Sequence, residues 1–559
     1  MVRPVRVSLV LSLCALTSLA CRGDDPSTEE GGTDDEVEGD GDGDSNTSTA
    51  DTSATDTSTD ADTTGDGDGD TTGDGDGDGD PPSPVCDAPI DLYDTSTPSA
   101  VIGDGTPASC TSADLVAAAE QGGTIGFDCG PDPITIALDD TIELPIDTDT
   151  IIDGGGLVTL DAQGQRRHFH FEHPDWMNNP TKIVLQRLRL IGGAAPLGEY
   201  FPQDPENPLC AYGYKDGSGG SIFVRNGVLH VIESEFEDNV AALEGPDVAG
   251  GAIYALGVPE VVIVRSRFVG NRASNGGAIG MLFANPDIYD SVFEDNEALG
   301  VGQNYVEPGC PEFNHAEQGG AGGNSGAVVF DGLNDEGNPY TICGAVFRNN
   351  RANELGGALF RTPNAGVREL IIDRSLFEGN TARLGGVSFI MQNDVTIRAS
   401  TFADNRSGVL VDGSEVGGPF GGVWIYQGSL ALENSTFVGN DPSALNVESA
   451  SGTVVNATFV DNAPAGGLDI RNSLFVDAVC GETAPGSDNL QWPAGMGCTS
   501  ESTFGDPMVG PLADNGGPTP TVLPASGGVV EGIGVDCPAF DQRGEARDPG
   551  SCAAGAVEP

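Results

Sequence analysis

A short apolar frame recurs along this chain. Phe-x-x-Asn occurs at Phe236/Asn239, Phe268/Asn271, Phe293/Asn296, Phe347/Asn350, Phe377/Asn380, Phe402/Asn405, Phe437/Asn440 and Phe459/Asn462, and Phe475 continues the column without the asparagine. Five residues before each Phe stands an aliphatic residue, from Val231 and Ile263 to Val454 and Ile470, and two before it stands Ser or Ala. A second motif opens most units: Gly219-Gly220-Ser221-Ile222, Gly250-Gly251-Ala252-Ile253, Gly276-Gly277-Ala278-Ile279 and Gly356-Gly357-Ala358-Leu359. Glycine permits a tight corner, and the short apolar runs between corners read as strands. Units of about 25 residues, with two or three short strands and no helix-forming run, predict turns stacked at the ~4.8 Å strand spacing.

The offsets Ile-x-x-Ser-x-Phe-x-x-Asn also match a leucine-rich repeat. That fold needs a bulky apolar residue where this chain has Ser or Ala, and a helical or extended return where it has Gly-Gly and another strand. The expected fold is therefore all-β, a right-handed parallel β-helix of roughly 10–12 rungs over residues 134–478. Its Phe column stacks inside and its Asn column forms an amide ladder at a corner. Charges beside the strands alternate in sign from unit to unit (Arg187, Glu233, Arg265, Asp290; Arg189, Glu235, Arg267), as surface ion pairs that set register require. These repeated residues are structural and are excluded from any site.

The remaining segments are placed around that body. Arg3 and Arg6 precede the apolar run Val7–Leu19, a secretory signal predicted over 1–20 and too short to span a bilayer. Ser18-Leu19-Ala20-Cys21 resembles the lipobox of bacterial lipoproteins, which implies lipidation at Cys21, and Arg22 in place of Asp resembles lipoproteins sent on to the outer membrane. Residues 21–85 are a spacer of Asp, Gly, Thr and Ser, predicted to be a disordered tether. Residues 86–133 are predicted to cap the N-terminal end, and 479–559 to form a C-terminal capping segment with disulfides.

Charge removes one class of partner. The formal charge is −62, and the body beyond the spacer still carries a large excess of acids, so nucleic acid is excluded and the membrane is met only through a lipid anchor. Ten cysteines remain after the leader and Cys21, an even number in an exported chain. Short loops pair Cys110 with Cys129, Cys480 with Cys498 and Cys537 with Cys552; the partners of Cys86 and Cys343 stay open. No Cys-x2-Cys is present, and alternation sets His168 and His170 outward beside core Phe169 and Phe171, so no metal and no cofactor is assigned.

Two stretches carry a family resemblance. Gly-Gly-Ala-Ile with Phe-x-x-Asn resembles the repeat of polymorphic outer membrane proteins. The tail, with Gly510-Pro511-Leu512-Ala513-Asp514-Asn515-Gly516-Gly517-Pro518-Thr519-Pro520-Thr521, Asp541-Gln542-Arg543-Gly544 and Gly555-Ala556, resembles the closing segment of exported choice-of-anchor Q β-helix proteins. The resemblance implies an exported surface protein, outer-membrane-anchored or extracellular.

Inserts interrupt the units between the Asn corner and the next Gly-Gly, at about 194–218, 297–324 and 406–420, with a short one at 240–249. Repetition of the path predicts that all leave from one edge. The first two carry Tyr200, Phe201, Tyr212, Tyr214, Tyr305 and Phe313, with Lys215 and His315 nearby, and one cysteine each, Cys210 and Cys310, predicted to be bridged. Aromatic residues on ordered loops suit stacking on sugars or contact with a protein partner. The expected function is non-catalytic adhesion or recognition of cell-surface glycans or proteins. The alternative is a polysaccharide lyase or glycoside hydrolase using carboxylates on a β-helix face. No catalytic residue is assigned; Ser325, in a protease-like Gly323-Asn324-Ser325-Gly326, aligns with the Gly-Gly corner instead.

Overall fold

The computed structural model describes residues 85–559, apart from 176–177, 197–216, 246–247, 303–321, 333–338, 364–368 and 419. Within them the chain winds as a parallel β-helix, most of whose strands join into one 35-stranded sheet. One turn runs Ile253–Leu256, Glu260–Val264 and Arg267–Val269; the next runs Ile279–Leu282, Pro286–Tyr289 and Val292–Glu294. The two turns pair in parallel, with Ile253 over Ile279, Ile263 over Ile288 and Phe268 over Phe293. Each turn therefore places one strand in a Gly-Gly stack, one in an aliphatic stack and one in a Phe stack. The Phe stack starts at Ile134–Ala137, and beyond Leu474–Val476 it continues through Asn489–Trp492 and Ser502–Phe504.

The Phe column is the spine of the core. From Phe236 through Phe268, Phe293, Phe347 and Phe377, successive ring centroids are 4.8 Å apart and the rings nearly parallel. The pile continues through Phe402, Phe437 and Phe459 to Phe475, every ring fully buried. Each contributes about 2–3 kcal/mol of burial. Gln491 lies under Phe475 and closes the pile with a polar group whose amide bonds to Cys498 N–H and Met496 O.

Each turn needs sharp corners, and the repeated polar residues serve them. Three residues before each Phe the chain takes a left-handed conformation, at Glu233 (φ 49°), Arg265 (47°), Asp290 (46°), Gly344 (64°) and Arg374 (47°). The Ser two before Phe accepts a hydrogen bond from the backbone of the turn before: Ser234 N–H donates to Ser266 Oγ, and Ser266 N–H to Ser291 Oγ. The Asn column serves the next corner. Asn239, Asn271, Asn296, Asn350, Asn380 and Asn405 each pass a carboxamide hydrogen bond of 2.8–3.0 Å to the one below, ending at Asn440. Asn462 stands outside this ladder, its Nδ2 turned to Val460 O and its Oδ1 without a partner.

After Asn271, Asn296, Asn350, Asn380 and Asn405 a two-residue strand adds a fourth side, Arg272–Ala273, Glu297–Ala298, Arg351–Ala352, Thr381–Ala382 and Arg406–Ser407. Then comes the Gly-Gly corner. Its first residue takes positive φ, 52° at Gly276 and 57° at Ser325, where the glycine is replaced. A Cβ on its second would meet the next turn's carbonyl, as at Gly277, 2.2 Å from Gly326 O.

Segments outside the solenoid cover its ends and sides. The helix Ser112–Ala119, N-capped by Thr111, packs Leu115 and Ala119 into the N-terminal end of the core. Residues 85–95 form a strap along the aliphatic stack, with Ala88, Ile90, Leu92 and Tyr93 over Val184, Ile232, Val262 and Val264. Residues 505–559 return along the last turns. Gln542, fully buried, bonds to Thr436, Ser400 O, Thr401 and Thr519, and Asn456 donates to Ala553 O and Gly555 O. The tail motif Asp541-Gln542-Arg543-Gly544 thus secures this segment to the solenoid.

Candidate functional site

The edge between the fourth side and the Gly-Gly stack is where the inserts begin and end. Ala194, Val240 and Arg272 stack there as parallel bridges, and Arg272 pairs above Glu297. The first insert has its feet on the 240–242 segment: Ala195 N–H donates to Val240 O, and Ala242 N–H to Gly217 O. Both feet of the second share one acceptor, since Gly300 N–H (3.2 Å) and Gly323 N–H (2.8 Å) donate to Ser274 O. Buried Glu354 braces that foot, accepting from Gly302 N–H at 2.8 Å and pairing with Arg383 at 3.3 Å. The two large inserts therefore arise from closed necks one above the other.

The residues singled out on them, Tyr200, Phe201, Tyr212, Tyr214, Lys215, Tyr305, Phe313 and His315, lie outside the described residues. So do the Cys210 and Cys310 pairing and Cys21. In the insert at 406–420, Val409 bridges Glu415 in a small hairpin, and Phe420 folds back to stack on Trp424 at 4.1 Å. That insert lays its aromatic residue, half-buried, against Trp424.

A column the sequence reading missed lies beside the insert necks. The second residue of strands in the Gly-Gly stack faces outward and is often aromatic: His170, Phe223 and Tyr254 stack at 5.3 and 5.8 Å, and Phe360, Phe389 and Trp424 follow beyond Gly280 and Val329. Except for His170, these aromatics are buried. The signal available was the bulky ring directly after each Ile, Leu, Ser or Val of the Gly-Gly motif.

The charged columns pair as surface ladders. Arg265 meets Glu233 at 2.9 Å, Arg267 bridges Glu235 (3.3 Å) and Glu294 (2.7 Å), and Arg348 meets Glu378 at 2.9 Å. Asp153 is held more firmly. Burial raises its carboxyl pKa, but hydrogen bonds from Arg187, Thr95, Gly155 N–H and Gln186 outweigh that and leave it lowered.

The histidines require a correction. His168 is fully buried rather than outward, because the strand begins at Phe169 and alternation does not extend into the corner. Its Nε2 bonds to Leu160 O at 2.9 Å and its Nδ1 to Ser221 Oγ at 2.9 Å, and burial lowers its pKa to about 4. His170 pairs with Glu143 at 2.7 Å. Under the strap, His230 lies between Tyr93 Oη and Glu260, each at 2.7 Å, with its pKa lowered by burial. Ser325 Oγ donates to Ala358 O, as a corner residue would. Among the described residues no group of three or more His, Cys, Asp or Glu is arranged to hold a metal ion.

Among the described residues there are four disulfides: Cys110–Cys129, Cys480–Cys498 and Cys537–Cys552, as the short loops predict, and Cys86–Cys343, 257 residues apart, which joins the strap to the aliphatic stack. They mark an extracellular or exported protein. Among the described residues no helix is long and apolar enough to cross a membrane. No protein family and no curated protein matches the chain.

Proposed function

We propose that this is an exported, non-catalytic β-helix protein, lipid-anchored through Cys21 in the outer membrane or released outside the cell, whose large inserts recognise glycans or protein partners. One observation carries this reading: the necks of the two aromatic-rich inserts are stacked on one edge of a rigid solenoid. Inserts of unlike sequence thereby leave from the same edge, as a composite recognition surface requires. The repeated Asn, Ser and charged residues support it as well, since the fold uses them for corners and ladders. Glycan and protein arrays probed with the intact chain test the reading; retention of a ligand without change to it is the expected result. Mass analysis of the N-terminal peptide tests lipidation of Cys21.

A second reading, a polysaccharide-active enzyme, draws on a groove of about 780 Å³ beside the aliphatic stack in the last turns. Asp469 and Glu482 line it with Ser451, Thr453 and Thr483, over Leu430, Leu468 and Gly467. Two carboxylates in one cleft are the minimum for glycoside hydrolysis. Release of oligosaccharides, abolished by Asp469→Asn or Glu482→Gln, would favour this reading over the first.

A further inference from the structure

We propose that the Cys86–Cys343 bond is a mechanical staple: it carries a pull on the N-terminal segment past the strap and the first turns, directly into the middle of the solenoid. The inference rests on the surface-display reading, in which a bound partner and an N-terminal anchor pull in opposite directions.

The geometry singles out this bond among the four. The other three close loops separated by 15 to 19 residues, whereas this one encloses residues 87–342. Cys343 ends the strand Tyr340–Cys343, which is paired on both sides, to Pro286–Tyr289 and to Leu370–Asp373. Both neighbouring turns also grip Val85: its N–H donates to Asp290 Oδ1 at 2.8 Å, and its carbonyl accepts from Arg374 Nη1 at 2.8 Å. Val85 and Cys86 are thus fixed to the body together.

Beyond that point the strap is nearly straight. Tyr93 exchanges backbone hydrogen bonds with the Gln186 carboxamide, and Thr95 donates to Asp153 Oδ2. From Cys343 to Asp153 is five turns, about 24 Å at the usual strand spacing, and nine residues of extended chain span about 30 Å. Such a strap, pulled from its free end, would peel one contact at a time. The first turns would follow, because each turn of a solenoid is held only by its neighbours. With the bond in place, that load bypasses the strap and the first turns.

Both large inserts, 197–216 and 303–321, fall within residues 87–342. For a partner held on the second insert, the shorter path runs to Cys343 and not along the strap. Val301, exposed at the foot of the second insert, is separated from Cys343 by 343 − 301 = 42 residues, but from Val85 by 301 − 85 = 216.

Stretching the full chain between a handle at its N-terminus and one at Val301 tests this. In the oxidised protein, release from the folded body should stop at about 42 residues, roughly 15 nm of extended chain. After reduction, turns should come away one by one toward about 75 nm, starting at a force at least twofold lower. Cys86→Ser/Cys343→Ser, which spares the other disulfides, should show the same lowered onset. Equal onset forces in the oxidised, reduced and Ser/Ser proteins would overturn the proposal, as would stepwise release beyond 15 nm in the oxidised one. No ligand is needed, so a failure here leaves the recognition reading standing, and a negative array leaves this proposal standing.

Discussion

The side-chain amide of Asn271 donates to Asn296 Oδ1 at 3.0 Å, and the backbone N–H of Asn271 reaches the same oxygen at 3.0 Å. One oxygen thus serves two buried donors of the turn above, while the second amide hydrogen of Asn271 goes to Phe236 O. This arrangement, repeated down the corner, ties each turn to both neighbours where no strand ladder can.

Removing one member should therefore be costly. Asn296→Ala deprives both Asn271 donors of their acceptor and leaves Phe268 O and Asn350 Oδ1 without its amide, at about 1–3 kcal/mol for each buried group stranded. A loss of about 3 kcal/mol or more is expected in urea unfolding. Asn462→Ala, outside the ladder, should lose less than about 1 kcal/mol. Equal losses would mean the ladder adds nothing beyond burial.

The Gly-Gly corner makes two different demands. Gly277→Ala drives a Cβ against the Gly326 carbonyl and the Glu297 backbone nitrogen, at 2.2 and 2.5 Å, with no flexible side chain to yield. It should destabilise by about 3 kcal/mol or more, or prevent folding. At the first position φ is positive and a Cβ on Gly276 would also meet Ile279 O at 2.2 Å, so Gly276→Asn should destabilise about as much as Gly277→Ala, although the corner at Ser325 accommodates a side chain. Thermal melts of the two variants give the comparison.

His168 sets an acid limit. Its folded pKa of about 4 lies below the ordinary 6.5, so the neutral ring favours the folded state fully above pH 6.5. That contribution is lost as pH falls from 6.5 toward 4, up to about 3 kcal/mol. Carboxylates titrate over part of this range too, so the useful quantity is the difference from His168→Gln, whose stability should fall less between pH 6.5 and 4. Parallel curves for the two proteins would contradict the assignment.

The parts that repeat were legible, and the parts that occur once were not. Phe268 and Phe293 share a frame because each turn solves the same packing problem, so nine copies mark the core in the sequence itself. The Ser column was visible, but its role depends on a backbone N–H left over at a left-handed corner, which no sequence shows. Cys86 and Cys343 carry no local signal, since their meeting depends on how many turns lie between them. Ala88, Ile90 and Leu92 do alternate with Asp87, Pro89 and Asp91, and that period of two was the available hint of a strap. His168 misled because alternation was extended one residue beyond its strand. On the candidate site, the sequence located the edge through the insert positions, but the buried aromatic column beside it was hidden within the Gly-Gly motif.

The most direct test of the central claim is to replace 195–218 and 298–324 by the tight connection that residues 273–275 already make between adjacent turns, and to measure binding to whatever ligand the intact chain retains on an array. The shortened protein should keep its β-rich circular dichroism and cooperative melting, and lose binding at least tenfold. Undiminished binding by a folded protein without these inserts would contradict the claim that this edge is the recognition site.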